Sequence, residues 1–373
     1  MAKRKHQKFL NGVKKIKKEE ILDYLEILKP KIDKAIEKYL PKKITKKWLN
    51  FAFGSNCQFN SKTVQEIFSK PIWNFLARGG KRWRPALFLL IAEAIGGDMK
   101  KVKDFVVIPE LLHQGSLVVD DIEDQGELRR GKSCLHRIFG EDIAINAGNF
   151  IYFLPLLALI KNRKKFKSEI LLKAYETYLQ EMMKVHLGQG TDIFWHKGKE
   201  REIGERDYLQ MAAFKTGSLS RFGAKLAVIL SGGSEKLAER LGQMAGAIGI
   251  AFQIQDDILD IALAGKEREK FGKSFGNDIK EGKRTLMVIH TFKKANRKDK
   301  KRLLEILDKH TENLAEIREA IEIIKKYKAI EYARKISRKI VKDTWEKAEN
   351  LLPESKAKKR LKGFVSYLIE RKI

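Results

Sequence analysis

From Lys62 to Ile373 apolar residues recur three and four positions apart, as at Trp73, Leu76 and Ala77 and again at Leu237, Leu241, Met244 and Ala245, with almost no strict alternation. A helix of 3.6 residues per turn gathers such positions on one face, whereas a half-buried strand needs a period of two. The chain is therefore expected to be all-α, roughly ten or more helices packed as a bundle. Gly96-Gly97, Gly232-Gly233 and Gly265 fall where helices can end. No repeat of fixed period and no Ser/Gly linker divides the chain. The expected organisation is a basic, partly helical leader over residues 1–60 and a single all-α domain over 61–373. The longest uncharged run, Ile143 to Ile160, contains Asn146, Gly148, Asn149 and Pro155. It reads as a buried central helix, because a spanning helix wants about twenty mainly apolar residues.

Charge narrows the partners. Lys plus Arg number 77 and Asp plus Glu 48, so 77 − 48 gives +29. The excess is diffuse, densest in residues 3–47 and in the last eighty, and the aromatics sit at apolar positions instead of alternating with basic ones. A stacking groove for single-stranded nucleic acid would show that alternation, so no nucleic-acid partner is expected. The first twenty residues carry eight Lys/Arg with no apolar stretch behind them, unlike a secretory signal. Cys57 and Cys134 lie far apart and form no CxxC pair, which excludes a disulfide framework and fits a reducing, cytoplasmic location. In the leader, Ile16, Ile21, Leu22, Leu25 and Leu28 form an amphipathic stretch. Peripheral contact with anionic lipid is one use for it; an outer helix packed on the core is the other and is favoured.

Two segments place carboxylates where a helix would otherwise stay apolar. Leu111 to Asp124 and Ile248 to Asp260 each end in Asp-Asp-x-x-Asp. Residues i and i+4 are neighbours on a helix, so Asp120 with Asp124 and Asp256 with Asp260 project together and call for a cation. Hard oxygen ligands shared with phosphate and water suit magnesium. One such motif alone is as well explained by a solvated acidic face; two, each after an apolar run, are not. Basic clusters lie beside them: Lys81, Arg82 and Arg84 after Gly79-Gly80, then Arg129-Arg130-Gly131-Lys132, then Lys273 and Lys283 around Gly276-Asn277-Asp278. Arg grips phosphate oxygens bidentately and Lys acts as a point charge. His113 sits seven residues before Asp120, two turns away on the same face. Neither a GxxxxGK[ST] loop nor a strand followed by GxGxxG occurs, so nucleotide folds find no support.

In order, GGKRWRP, DDIED with LRRG, KTG, FQIQDDILD and GKSFGNDIKEGKRT resemble the trans-isoprenyl diphosphate synthases over about residues 70 to 290. LVVDDIEDQGELRRGKS, INAGN and GQGTDIFW are similar to geranylgeranyl diphosphate synthases. The resemblance implies helices around a deep central cavity with the two acidic motifs facing each other at its mouth. It implies that Asp120, Asp124 and Asp256 hold three magnesium ions, with Asp121, Asp257 and Asp260 in the same motifs and the last two supporting that shell. Arg129, Lys215, Gln253, Lys273 and Lys283 would then contact the allylic diphosphate. Lys81, Arg84, His113 and Arg130 would hold isopentenyl diphosphate, with Gly80 allowing close backbone approach. Lys215, Thr216, Gln253, Arg129 and Arg130 carry the catalytic expectation, and Gln189 and Asp192 a cavity-lining one. Cys134, His136 and Trp195 are read as packing residues.

Product length is expected to follow cavity depth. Ser116 and Gly115, four and five positions before Asp120, are small where the family's fifteen-carbon synthases carry bulky aromatics. Leu112, a turn further down with Ile108 and Pro109, would floor the cavity near twenty carbons. Longer-chain synthases remain the alternative. A terpene cyclase is disfavoured by the full second Asp-Asp-x-x-Asp, and a noncatalytic subunit would have no reason to keep both carboxylate pairs. Homodimers are usual in the family.

Overall fold

The computed structural model describes residues 18–55, 58–198, 202–263 and 275–370. Its contacts define two compact units: Met1–Glu176 with Gly223–Ala238 and Leu352–Tyr367, and Thr177–Phe222 with Glu239–Leu351 and Leu368–Ile373. Both are helical, and among the described residues the only strands are a two-residue pair.

The first unit begins with α1 (Lys18–Tyr39), whose Ile21, Leu25, Leu28, Ile32 and Ile36 recur at four and three spacing and are all buried. That stripe packs on α2 (Trp83–Ala94) and α3 (Val107–Glu123). Of the leader's amphipathic stretch Ile21, Leu25 and Leu28 are buried, Leu22 is exposed, and Ile16 lies outside the described residues. Helix α3 packs most extensively on α4 (Glu141–Phe153). A Cβ on Gly115 would lie 3.1 Å from the Gly148 carbonyl oxygen, and one on Gly148 would lie 2.9 Å from Val119 Cγ2. The two glycines let the helix backbones approach closely. Phe75, Val118, Leu135 and Ala144 form a small core beside this crossing.

The expectation of one buried helix over Ile143–Ile160 is corrected. Helix α4 stops at Phe153, a 3₁₀ turn covers Leu154–Leu156, and a short helix, Leu157–Asn162, follows. Pro155 has no N–H and its ring crowds the preceding turn, which breaks the ladder. Within residues 141–165 an 18-residue window reaches a mean hydropathy of 1.9, enough by length and composition to cross a membrane, yet 56% of that window is buried within the protein. Its other face is open, with Ile145, Phe153 and Ile160 exposed.

Strands β1 (Leu128–Arg129) and β2 (Lys132–Ser133) pair antiparallel. Their two-residue turn has positive φ at both Arg130 (56°) and Gly131 (72°), the conformation a tight hairpin requires.

Helix α5 (Ser168–His196) belongs to the second unit from Thr177, α6 (Glu205–Lys215) ends at Thr216, and α7 (Gly217–Leu230) starts at once, its residues from Gly223 onward belonging to the first unit. Then come α8 (Glu235–Ala262) and, after the single turn Asn277–Lys280, α9 (Leu286–Lys294), α10 (Arg297–Lys309), α11 (Leu314–Lys326) and α12 (Ala329–Glu349). Tyr208, Met211, Ile254, Ile258, Leu286 and Leu303 lie in the second unit's core with Trp195, a packing residue as read. Gly265 and Cys57 lie outside the described residues; Cys134 is a buried free thiol.

Candidate active site

The first acidic motif closes α3: Asp120 and Asp121 stand in its last turn and Asp124 is its C-cap. A helix C-terminus carries partial negative charge, so carboxylates there are disfavoured unless a cation is near. Arg129, brought round by the hairpin, supplies one. Its Nε donates to Asp121 Oδ1 at 2.6 Å and its Nη2 to Asp120 Oδ2 at 3.1 Å. Asp121 is buried, and that burial raises its pKa against the lowering effect of Arg129. Asp120 and Asp124 are part-exposed and are the members of this motif that solvent reaches.

Beside it lie the cations of the glycine turn. Arg84 is buried with its guanidinium 4.4 Å from the Trp83 ring centre, whereas Lys81 and Gly80 are exposed. Arg130 Nη1 donates to the Gly79 carbonyl at 2.6 Å. Burial lowers the Arg130 pKa to about 10, far enough above neutrality to keep its charge. Burial, and then the repulsion of Arg84, Arg130, Arg129 and Arg82, hold His113 well below its ordinary 6.5. It is neutral at pH 7 and faces four guanidiniums, surroundings suited to an anion.

The sign of the resulting pH effect follows from linkage. The unfolded chain protonates His113 near 6.5 and the folded chain does not, so stability falls as pH drops below that value. Between pH 7.5 and 5.5 the folded chain is therefore expected to lose stability through His113. Urea midpoints measured at both pH values should lie closer together for His113→Gln than for the unaltered chain; equal spacing would rule the effect out.

The second acidic motif lies in the last turns of α8, again at a C-terminal end. Asp256 is part-exposed. Asp257 and Asp260 are buried and held by protein groups: the Tyr208 hydroxyl donates to Asp257 Oδ2 at 2.7 Å, Gln253 Nε2 to Oδ1 at 2.8 Å, and the Asp278 N–H to Asp260 Oδ2 at 3.0 Å. Burial pushes the Asp257 pKa up, against the pull of the Tyr208 and Gln253 hydrogen bonds. The Thr216 hydroxyl donates to Gln253 Oε1 at 2.7 Å, so Thr216, Gln253, Asp257 and Tyr208 form one chain of hydrogen bonds.

The Lys215-Thr216-Gly217 turn is wedged between two helices by glycine. A Cβ on Gly188 of α5 would lie 2.1 Å from the Lys215 nitrogen, and one on Gly249 of α8 would lie 2.7 Å from Gly217 Cα. Lys215 Nζ donates to Asp192 Oδ2 at 2.7 Å. Burial alone would raise Asp192, but Lys215, Lys283 and His196 draw its pKa below the usual carboxylate range. Asp192 is thus a buried counter-ion for Lys215, while Gln189 is part-exposed one turn before it. Lys283 pairs with Glu281 and lies 3.8 Å from Asp278 Oδ1. Lys273 lies outside the described residues.

Among the chain-length positions Leu112 is fully buried, and the part-exposed Ser116 donates its hydroxyl to the His113 carbonyl at 2.8 Å. Gly115 sits at the crossing with α4. A side chain there would meet Ile151 Cγ1 at 3.0 Å, the Gly148 carbonyl and Tyr152, so Gly115 faces α4 and serves helix packing. Gly115→Phe is therefore expected to cost about 3 kcal/mol or more in stability by forcing α3 and α4 apart. Chemical denaturation checks this; a variant as stable as the parent would refute it.

Sequence reading passed over several contributors. Glu110 is a carboxylate within the apolar run Val107–Leu112, and buried charges are tolerated only when paired. It is 2% exposed, and Arg82 Nη1 donates to it at 2.7 Å. Tyr208 gave no signal, because its partner is forty-nine positions away.

The donor set fits magnesium. It consists of carboxylate oxygens toward the negative ends of helices; among the described residues no three His, Cys, Asp or Glu side chains are grouped so as to hold a metal by themselves. Magnesium characteristically takes one or two carboxylates and completes its shell with water and substrate phosphate.

Comparison with known proteins agrees. Residues 65–324 match the family model described as polyprenyl synthetase. A short chain isoprenyl diphosphate synthase of Methanothermobacter thermautotrophicus is 36% identical over 311 residues, 83% of this chain and 92% of the relative. A geranylgeranyl diphosphate synthase of Saccharolobus solfataricus is 31% identical over 87% of this chain and 95% of its own length. Among solved structures, geranylgeranyl pyrophosphate synthetase from Pyrococcus horikoshii Ot3 superposes with a TM-score of 0.81 at 31% identity, covering 95% of this chain and 99% of that one.

Proposed function

This chain belongs to the polyprenyl synthetase family, and from that premise we propose that it condenses isopentenyl diphosphate head-to-tail with allylic diphosphates up to a twenty-carbon product. The observation that carries the reading is the pair of Asp-Asp-x-x-Asp motifs, each at the C-terminal end of a helix and each with lysine or arginine held in its own unit.

Asp120 and Asp124 would be the magnesium ligands of the first motif and Asp256 that of the second; the metal would supply Lewis-acid neutralisation of the departing diphosphate. Three ions is the count that the resemblance implies. Asp121, Asp257 and Asp260, already bonded to protein groups, orient those carboxylates. Arg129, Lys215 and Lys283 add fixed positive charge for the allylic diphosphate, so the barrier to ionisation falls. Lys81, Arg84, His113 and Arg130 hold the diphosphate of the second substrate, and much of the rate is the positioning of its double bond. The Thr216 hydroxyl oxygen, the Lys215 carbonyl and the Gln253 amide oxygen offer electron-rich dipoles to the cation. Proton loss to the released diphosphate regenerates an allylic product, and the cycle repeats.

Incubation with magnesium, labelled isopentenyl diphosphate and starters of five, ten and fifteen carbons tests this. A discrete twenty-carbon product supports it, and Ser116→Phe is expected to shorten that product by one or two isoprene units. Longer products would place the floor deeper than Leu112, and no product from any starter would overturn the reading.

The chain pairs as a homodimer in this reading. Along α5, Leu172, Leu179, Met183, Leu187 and Phe194 lie on one stripe and are 52% to 61% exposed. A contiguous apolar stripe of this length marks an association surface. Sedimentation at twice 43.0 kDa tests it.

A further inference from the structure

The first unit contains a chain of buried polar contacts in which the described chemistry uses only the last member. Asp33, on the N-terminal helix α1, accepts from Arg82 Nε at 3.1 Å. Arg82 Nη1 donates to Glu110 Oε1 at 2.7 Å, and its Nη2 to the Leu76 carbonyl at 3.1 Å. The same Glu110 oxygen accepts from Gln114 Nε2, which turns Gln114 Oε1 outward to accept from Arg130 Nη2 at 3.2 Å. Arg130 Nη1 in turn holds the Gly79 carbonyl. Arg82 is 5% exposed, Glu110 2% and Gln114 1%, so the two bonds to Glu110 are shielded from water, whereas Asp33 and Arg130 at the ends are part-exposed.

Two further observations make this more than an ordinary buried ion pair. Arg82 and Arg130 are both non-glycine residues at positive φ, 47° and 56°, a conformation that costs energy and persists only where the surroundings hold it. Gly80 lies between their guanidiniums: a Cβ there would be 3.4 Å from Arg82 Nη1 and 3.4 Å from Arg130 Nη2. The two arginines therefore clamp one turn, and the Glu110 carboxylate sets the polarity of the Gln114 amide that orients the second. With a neutral group at 110 the amide nitrogen loses its charged acceptor, and the polarisation that strengthens the amide oxygen's bond to Arg130 goes with it.

We infer that Asp33, Arg82, Glu110 and Gln114 form a positioning relay that presets Arg130 and the Gly79-Gly80 turn for the diphosphate of the non-allylic substrate. This rests on the assignment of Arg130 to isopentenyl diphosphate. It gives the basic leader a role in substrate binding through α1.

Because the relay serves one substrate only, its loss must show as a split between the two. Gln114→Met keeps volume and leaves the Arg82–Glu110 pair intact, and Asp33→Asn alters only the outer end of the relay. Calorimetry with isopentenyl diphosphate alone and geranyl diphosphate alone, beside steady-state kinetics, reads the effect. Gln114→Met is expected to weaken isopentenyl diphosphate binding and raise its KM about tenfold, and Asp33→Asn about threefold, with the allylic constants unchanged. Equal weakening for both ligands with a lowered unfolding midpoint, or no change for either, would overturn the relay. An unaltered chain that binds isopentenyl diphosphate, loses that binding on Gln114→Met and yet turns over no starter would sustain the relay and defeat the proposed function.

Discussion

Asp120→Asn and Asp256→Asn should each reduce prenyl transfer about a thousandfold or more at saturating substrate, the loss of several kcal/mol of Lewis-acid stabilisation, while the unfolding midpoint stays unchanged. Activity and stability separate here because both carboxylates are part-exposed and stand at helix C-termini, where removing a negative charge relieves repulsion with the backbone dipole. Asp257→Asn should behave differently. Its carboxylate is buried between Tyr208 and Gln253, so the variant is expected to lose stability together with activity. Rates measured across a magnesium titration, beside urea denaturation, separate the cases. Retention of a tenth or more of the parent rate by Asp120→Asn would remove that residue from the metal set.

The second large effect concerns residues with no chemistry of their own. Gly188→Ala would press a methyl group to 2.1 Å from the Lys215 nitrogen, and Gly249→Ala to 2.7 Å from Gly217 Cα; in both cases the obstacle is backbone. Either helix must shift, at about 3 kcal/mol or more, and the Lys215–Asp192 and Thr216–Gln253 bonds shift with it. Gly190 supplies the control. It lies on the same helix as Gly188 but a Cβ there meets nothing within 4 Å, so Gly190→Ala should raise stability by up to about 1 kcal/mol through helix propensity. Equal midpoints for Gly188→Ala and Gly190→Ala would refute the wedge.

Residue pattern and structure agree most closely where the signal is local. The 3.6 periodicity dictates helices, but Pro155, which lies inside the apolar run, ends α4 at Phe153 because it removes an N–H from the ladder. The two carboxylate motifs were legible because charge inside an apolar helical run needs an explanation wherever the helix goes. For the leader the sequence allowed two uses and favoured packing on the core; Ile21, Leu25 and Leu28 are buried and their helix packs on α2 and α3, while Leu22 of the same stretch is exposed.

What the sequence determined by itself is the chemistry on offer: all-helical segments, paired carboxylates one turn apart, and arginines and lysines in number beside them. Each of these depends on neighbours within about four positions, which is the range over which a helix makes residues touch. Only the tertiary structure decided which groups are bonded to which. Glu110 finds Arg82 twenty-eight positions back, Asp257 finds Tyr208 forty-nine back, and Gly115 meets Gly148 thirty-three positions on. Such pairings follow from how helices cross, and the crossing depends on the packing of many side chains at once, which local spacing does not encode.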